Sequence, residues 1–203
     1  NPDEFKKFKR DLEEFEEWLE RTIGKWVEFS GKVHSVKPHF RKVIYGKKEI
    51  LEFPGYLISF QEGYLDRVFF QDAIFVTISR RTQLNLKFSK GDEVEFKARL
   101  RTDKGRIILD RIKYVEFPHK EEAETWSVSQ SLVAKNTGTE LDCQPEKCMM
   151  CDNGSLLDVV EKQGDKNIVR RHLFCLAGME DPETCVYHLA KKIEEYKDRK
   201  SVV

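Results

Sequence analysis

"SKGDEVEFKARLRTDKGRIILDRIKYVEF", residues 89–117, is the stretch that decides the fold. Lys90-Gly91-Asp92 reads as a turn, after which Val94, Phe96, Ala98 and Leu100 alternate with Glu95, Lys97, Arg99 and Arg101. A period of two sends successive side chains to opposite faces of a strand, so the apolar set points inward and the cations outward. Asp103-Lys104-Gly105 then makes a hairpin turn, and Ile107 to Val115 returns.

The same period runs upstream. In "KWVEFSGKVHSV", residues 25–36, Val27, Phe29, Gly31 and Val33 alternate with Glu28, Ser30, Lys32 and His34. Gly31 within such a strand marks a bulge or a sharp coil. "FRKVIYGKKEILEF" (40–53) reads as two strands meeting around Gly46. "YLISFQ" (56–61) and "RVFFQDAIFVTIS" (67–79) continue the pattern, with Ile74, Val76 and Ile78 on one face. "RRTQLNLKF" (80–88) is a short connector with room for a helical turn. About five short, mostly antiparallel strands without long crossover helices predict a small closed barrel.

The glycine inside a long first strand, the "KGDEVEF" opening of the fourth strand and the tight hairpin into "RIILDRIKYV" resemble an OB-fold. The resemblance covers residues 25–117, with segment 37–53 expected to project as a hairpin. It implies a sheet face that binds single strands, with cations for phosphates and aromatics for bases. On that reading Lys97, Arg99 and Arg101 share one outward face, Lys104 and Arg106 flank the turn, and Arg80 and Arg81 follow another strand. Phe40 and Tyr45 lie among Arg41, Lys42, Lys47 and Lys48 on the projecting connection, where they either stack on bases or pack within their own hairpin.

Charge agrees with a polyanion-binding middle. Residues 25–117 carry 19 Lys and Arg against 12 Asp and Glu, or +7, while 1–24 carry −3 and 118–203 carry −4. A basic surface gains from the counterions that phosphates release.

Ahead of the barrel, Phe5, Phe8, Leu12, Phe15, Leu19 and Ile23 are spaced by three and four. That puts them on one face of a helix, with Asp3 to cap it and Gly24 to end it. Such a stripe docks on its own domain or takes a helical protein partner. After Pro118 the periodicity fades, so 118–142 reads as a linker or partly helical tether, anchored by Trp126.

Four of the five cysteines then fall at Cys148, Cys151, Cys175 and Cys185, with Cys143 just upstream. Cys148-Met-Met-Cys151 before Asp-Asn-Gly has the form of a zinc knuckle, two thiolates biting one metal from a turn. "SLLDVVEKQGDKNIVRRHLFC" (155–175) reads as a hairpin turning at Gln163-Gly164-Asp165. A helix opening with Asp181 as cap and Pro182 at its first position would hold Cys185 in its first turn, with His188 on the same face. Knuckle, hairpin and helix resemble a treble-clef or ribbon-like zinc finger over 143–199. The fourth ligand is Cys175 or His188. An iron–sulfur cluster drawing on Cys143 is the rival cofactor. Buried core thiols are the bland alternative, and His172, between arginine and the strand end, reads as a surface residue.

No His-Glu-x-x-His, phosphate-cradling glycine loop or Gly-x-Ser-x-Gly elbow occurs, so the expectation is a binding protein rather than an enzyme. OB barrel and zinc element together make the chain loosely similar to single-strand-binding proteins of the replication protein A kind. The alternative is a protein-interaction scaffold or assembly factor. No apolar run approaches the roughly 18 residues that span a bilayer. Clustered, odd-numbered cysteines and a charged N-terminus without a signal-peptide pattern predict a reducing, cytoplasmic setting. Abundant Lys and Glu with few Asn and Gln fit a thermophilic source. The expected architecture is thus mainly β with flanking helices (α+β): helix 1–24, five-stranded OB-like barrel 25–117, linker 118–142, and zinc-binding ββα finger 143–203.

Overall fold

Helix α1 (Pro2–Thr22) forms where the three-four spacing predicts it, with Asp3 and Glu4 in its first turn and Arg21 in its last. Those charges complement the helix dipole. Gly24, at φ +79°, turns the chain out of the helix and donates its N–H to Leu100 O at 2.8 Å. The apolar stripe is covered only in its middle: Phe15, Trp18 and Leu19 are half-buried, Phe15 and Trp18 pack on Phe70 at 5.7 and 5.2 Å between ring centroids, and Ile23 is exposed. Phe5, Phe8 and Leu12 remain exposed.

The computed structural model describes residues 2–103, 105–141, 146–163 and 166–190. It is mainly β with flanking helices, and it divides into two units. Unit one takes Asn1–Val36 and Ile58–Thr125, and unit two takes Lys37–Leu57 and the chain from Trp126 onward. Among the described residues no helix is long and apolar enough to cross a membrane.

Unit one contains β1 (Trp26–Lys32), the start of β2 (Ser35–Tyr45) and the end of β3 (Lys48–Phe60). It continues with β4 (Gly63–Leu65), β5 (Val68–Phe70), β6 (Ile74–Ser79), helix α2 (Arg80–Leu86), β7 (Glu93–Asp103) and β8 (Arg106–His119). Strand β7 keeps its period of two, burying Val94, Phe96, Ala98 and Leu100. Phe29, Phe60 and Phe96 form the aromatic centre of the core, with centroids 4.6 Å (Phe29–Phe60) and 4.9 Å (Phe29–Phe96) apart. Full burial of such side chains stabilises by about 1.5–3 kcal/mol each. The Ser79 hydroxyl accepts from Thr82 N at 3.0 Å and so caps α2.

The β7–β8 ladder departs from simple alternation. Its paired residues Glu93↔His119, Glu95↔Glu116, Lys97↔Lys113 and Arg99↔Asp110 step by two on β7 and by three on β8. Each extra residue is a bulge, and Arg111 and Tyr114 absorb the bending at φ +56° and +54°. Strand β1 pairs β7 antiparallel, and β6 pairs β8 in parallel. Between β1 and β2, Val33 N donates to Asp92 O and His34 N to Ser59 O, both at 2.8 Å.

Unit two holds the hairpin of β2 and β3, helix α3 (Val128–Thr137), β9 (Thr139–Leu141), helix α4 (Glu146–Met149), β10 (Gly154–Gln163) and β11 (Lys166–Cys175). Strand β10 runs parallel to β2, from Leu157↔Phe40 to Lys162↔Tyr45, and antiparallel to β11. Phe40 centres the core, 4.9 Å from Phe174 and 5.7 Å from Phe53.

Two expectations are corrected. The strands do not form a five-stranded barrel but follow one eleven-stranded order, β5-β4-β1-β7-β8-β6-β3-β2-β10-β11-β9. The reason is length: β3 has 13 residues, a span of roughly 40 Å, far beyond the usual strand of 5–6 residues. The hairpin expected to project is instead packed into unit two. Within the stretch read as a linker or partly helical tether, β8 runs on to His119 and Ser127 opens α3 with a capping box to Gln130.

Candidate metal centre and nucleic-acid interface

The knuckle is built by backbone hydrogen bonds. Cys151 N donates to Cys148 O at 3.2 Å, Gly154 N to Cys151 O at 3.0 Å, and Asn153 N to Cys151 Sγ at 3.5 Å. Gly154 is required by space: a Cβ there would sit 1.7 Å from Cys148 O. Strand β11 brings Cys175 opposite Gly154. Asp181 accepts from Glu183 N at 2.9 Å and Thr184 Oγ1 at 3.0 Å, making a bend rather than the predicted helix cap. The helical residues begin at Val186, and Cys185 O accepts from His188 N and Leu189 N at 3.1 Å. Cys185 is therefore the cap residue, one step before the first turn in which it was expected.

Cys148, Cys151, Cys175, Cys185 and His188 all line one cavity of about 20 Å³. Cys148, Cys175 and Cys185 are buried and Cys151 is half-buried, all as free thiols. Both ring nitrogens of His188 are buried without a hydrogen-bond partner among the described residues. Among the described residues no three such side chains are drawn into a ready-made coordination sphere. Burial, then the neighbouring charges of Cys151, Cys185 and Cys175, pushes the Cys148 thiol up to about 11. Gathered thiolates repel one another, and a divalent cation among them removes that cost. Cys143 lies outside the described residues.

One neighbour had no clear signal in the sequence. Lys37, in β2, is buried, and its ammonium donates to Cys151 O at 2.9 Å and Met149 O at 3.3 Å. Burial lowers its pKa to about 8, against the pull of the Cys151 and Asp152 charges. The only hint is "VKPHF" (36–40), whose residues are buried on both strand faces. Further along, the His39 ring lies 3.2 Å from Asp158, which also accepts from Arg171 Nε at 2.8 Å.

The expected nucleic-acid residues are not brought together as one surface. Phe40 is 0 % exposed and is a core residue, so it offers no ring for stacking. Lys97 pairs with Glu28 at 3.0 Å, Arg101 with Asp110 at 3.6 Å, and Arg106 with Asp103 at 4.0 Å. Arg99 Nε donates to Gly24 O at 3.0 Å. Lys42 is held between Glu140 and Glu49, and Glu140 also binds His172 Nδ1 at 2.6 Å. His172 is thus a half-buried network residue rather than a free surface one. Arg80 and Arg81 are exposed at the start of α2, in unit one. Lys104 lies outside the described residues.

A smaller group does converge at the turn end of unit two. Tyr45, Lys47 and Lys48 are exposed at the β2–β3 turn, where Gly46 takes φ +58°, and Arg41 is exposed four residues earlier on β2. Tyr45 pairs in register with Lys162, whose ammonium lies 4.6 Å from the ring centroid. The sequence marks Tyr45 but not Lys162, which arrives from more than a hundred residues away. Neither a protein-family model, nor a curated protein, nor a solved structure matches this chain.

Proposed function

We propose that this chain is a single-stranded nucleic-acid-binding protein whose second unit is stabilised by zinc. The observation that carries the binding reading is the exposed Tyr45, with Lys162 on its ring and the exposed Lys47 and Lys48 following at the turn. An aromatic platform among cations stacks bases while neutralising phosphates. The strand sequence β1-β7-β8-β6-β3-β2, the parallel β6–β8 pair and α2 between β6 and β7 agree with OB connectivity. That likeness is analogy at the level of fold, and the function rests on the site.

Cys148, Cys151, Cys175 and Cys185 would hold the zinc, with His188, at the same cavity, the alternative to Cys175 as fourth ligand. The Asn153 N–H aimed at Cys151 Sγ and the orphaned His188 ring suit that role. Bound there, zinc supplies structure rather than chemistry.

Elemental analysis should find one zinc per chain, and an iron-loaded brown protein would replace it by the cluster. Chelation should open unit two to protease and spare unit one. For binding, anisotropy of a labelled single-stranded oligonucleotide should fall with salt. Lys47→Ala with Lys48→Ala should flatten the slope of log affinity against log salt by about 1.4. Tyr45→Ala should weaken binding at every salt concentration. No binding to DNA or RNA at low salt would hand the chain to the second reading, a protein-docking scaffold. That reading is favoured by the uncovered Phe5, Phe8 and Leu12 of α1.

A further inference from the structure

The outer face of unit one carries an open groove of about 640 Å³. One cross-strand row runs through it, Tyr64, Ser30, Glu95 and Glu116, contributed by β4, β1, β7 and β8. Tyr114 stands beside the row, 78 % exposed at φ +54°. A bulky residue in the left-handed region stores strain, and such strain gathers at binding sites. Tyr64 is 49 % exposed, and its ring lies 5.1 Å from that of Phe69. Two tyrosines therefore flank a floor of carboxylates.

The charges on that floor are unbalanced. Lys97 is engaged by Glu28 at 3.0 Å, and the neighbouring Lys113 sits 4.2 Å over the Trp26 ring. Glu95 and Glu116 face each other in register, both exposed, with no ion pair or hydrogen bond among the described residues. Like charges opposite one another destabilise a sheet. A cation lodged between them removes that cost. A second groove of about 330 Å³ shares Ser30, Tyr64 and Glu95 and adds Phe69, Glu62 and Glu93. Lys32 and Arg67 are the remaining cations, outnumbered by the glutamates.

We propose that this groove binds a basic peptide segment of a protein partner. An Arg or Lys head sits between Glu95 and Glu116, and Tyr64 and Tyr114 take its stem and the residue beside it. A guanidinium or ammonium is attracted to an aromatic face and to a carboxylate, and here both meet at one place. The continuation into the second groove, with Glu62 and Glu93, suits an extended chain carrying several cations rather than one small amine. Phosphates would meet unpaired carboxylates here. The site is thus separate from the cationic turn of unit two and stands or falls independently of it.

The test uses the full chain and a short labelled peptide of alternating Arg and Ser, with a Glu-for-Arg counterpart as control. The Arg peptide should bind in a salt-sensitive manner and the Glu peptide should not. Glu95→Gln with Glu116→Gln, isosteric and exposed, should weaken binding about tenfold or more. It should leave oligonucleotide binding unchanged and raise the melting temperature slightly, so lost affinity cannot be blamed on misfolding. Tyr64→Ala with Tyr114→Ala should also weaken the peptide several-fold. Failure of the unmodified chain to bind the Arg peptide at low salt, or binding that survives the double glutamine change, overturns the proposal. So does spermidine binding as tightly as the peptide, or an oligonucleotide that crosslinks to Tyr64 or Tyr114.

Discussion

Asp92→Asn should destabilise unit one far more than one surface-reaching ion pair suggests. The Asp92 carboxylate is fully buried and accepts four hydrogen bonds: Ser89 N, Lys120 Nζ and Glu121 N at 2.8 Å, and Ser89 Oγ at 3.0 Å. Burial pushes its carboxyl up, but Lys120, Glu121 N and Ser89 outweigh that and hold it below the usual carboxylate range. An asparagine amide is best turned so that its NH₂ replaces Oδ1. The Ser89 hydroxyl, which can donate to Glu121 O at 2.8 Å, then accepts from it. Glu121 N is left facing another donor, and no rotation mends that. One orphaned buried N–H costs about 1–3 kcal/mol, and the remaining bonds lose their charge assistance. The expected loss is about 3 kcal/mol, a fall of roughly 12–24 °C in the melting of unit one by calorimetry. Lys120→Arg is the control. A guanidinium keeps a cationic donor on Asp92 Oδ2 and removes none of the backbone donors, so it should cost less than about 1 kcal/mol. If Lys120→Arg costs as much as Asp92→Asn, or Asp92→Asn costs under about 1 kcal/mol, the orphaned amide is not what matters.

Asp158 predicts the acid behaviour of unit two. Burial raises its carboxyl, but the His39 ring and the Arg171 guanidinium prevail and bring it from 3.8 to about 2. A depressed carboxyl contributes above its unfolded pKa and loses that contribution as pH falls through the folded one. The contribution is about 2 kcal/mol, present above about pH 5 and fading toward pH 2. Asp158→Asn should therefore be destabilised at neutral pH, with its urea midpoint converging on that of the unmodified chain in acid. A difference that does not change with pH would contradict this. Gly154→Ala should abolish metal retention, because the Cβ meets the Cys148 carbonyl at 1.7 Å and a backbone atom cannot swing aside. Full zinc content in that variant would show that the knuckle tolerates reopening.

Local signals survived the passage from sequence to fold. Val94 to Leu100 alternate because one face of β7 is core, and the turns at Gly46 and Gly105 take the positive φ that glycine permits. The cysteines meet at one cavity because a knuckle and a hairpin are short-range devices. What was illegible depends on distant partners. Phe40 looks the same in sequence whether it stacks or is buried, and its cover includes Phe174, which arrives from more than a hundred residues away. Lys37 acquires its partners from residues 149 and 151. The three-residue step of β8 mimics no regular period, so Tyr114 gave no warning of its exposure. Ser127-x-x-Gln130 is a readable capping box, although the residues around it lack an apolar period.

The composition of unit two from two separated stretches has a consequence in time. Ser155 Oγ donates to Pro38 O across 117 residues of chain. At roughly 5–20 residues per second, a ribosome needs about 6–23 s to bridge that interval. Throughout it the β2–β3 hairpin must wait with Phe40, Val43 and Phe53 lacking their later cover, although an isolated hairpin is barely stable. Strand β2 meanwhile offers β10's future place to any other extended chain. The intervening strands of unit one have ample time to fold first, since small domains do so within microseconds to seconds. The chain's most exposed moment thus falls during its own synthesis, before the knuckle has been made.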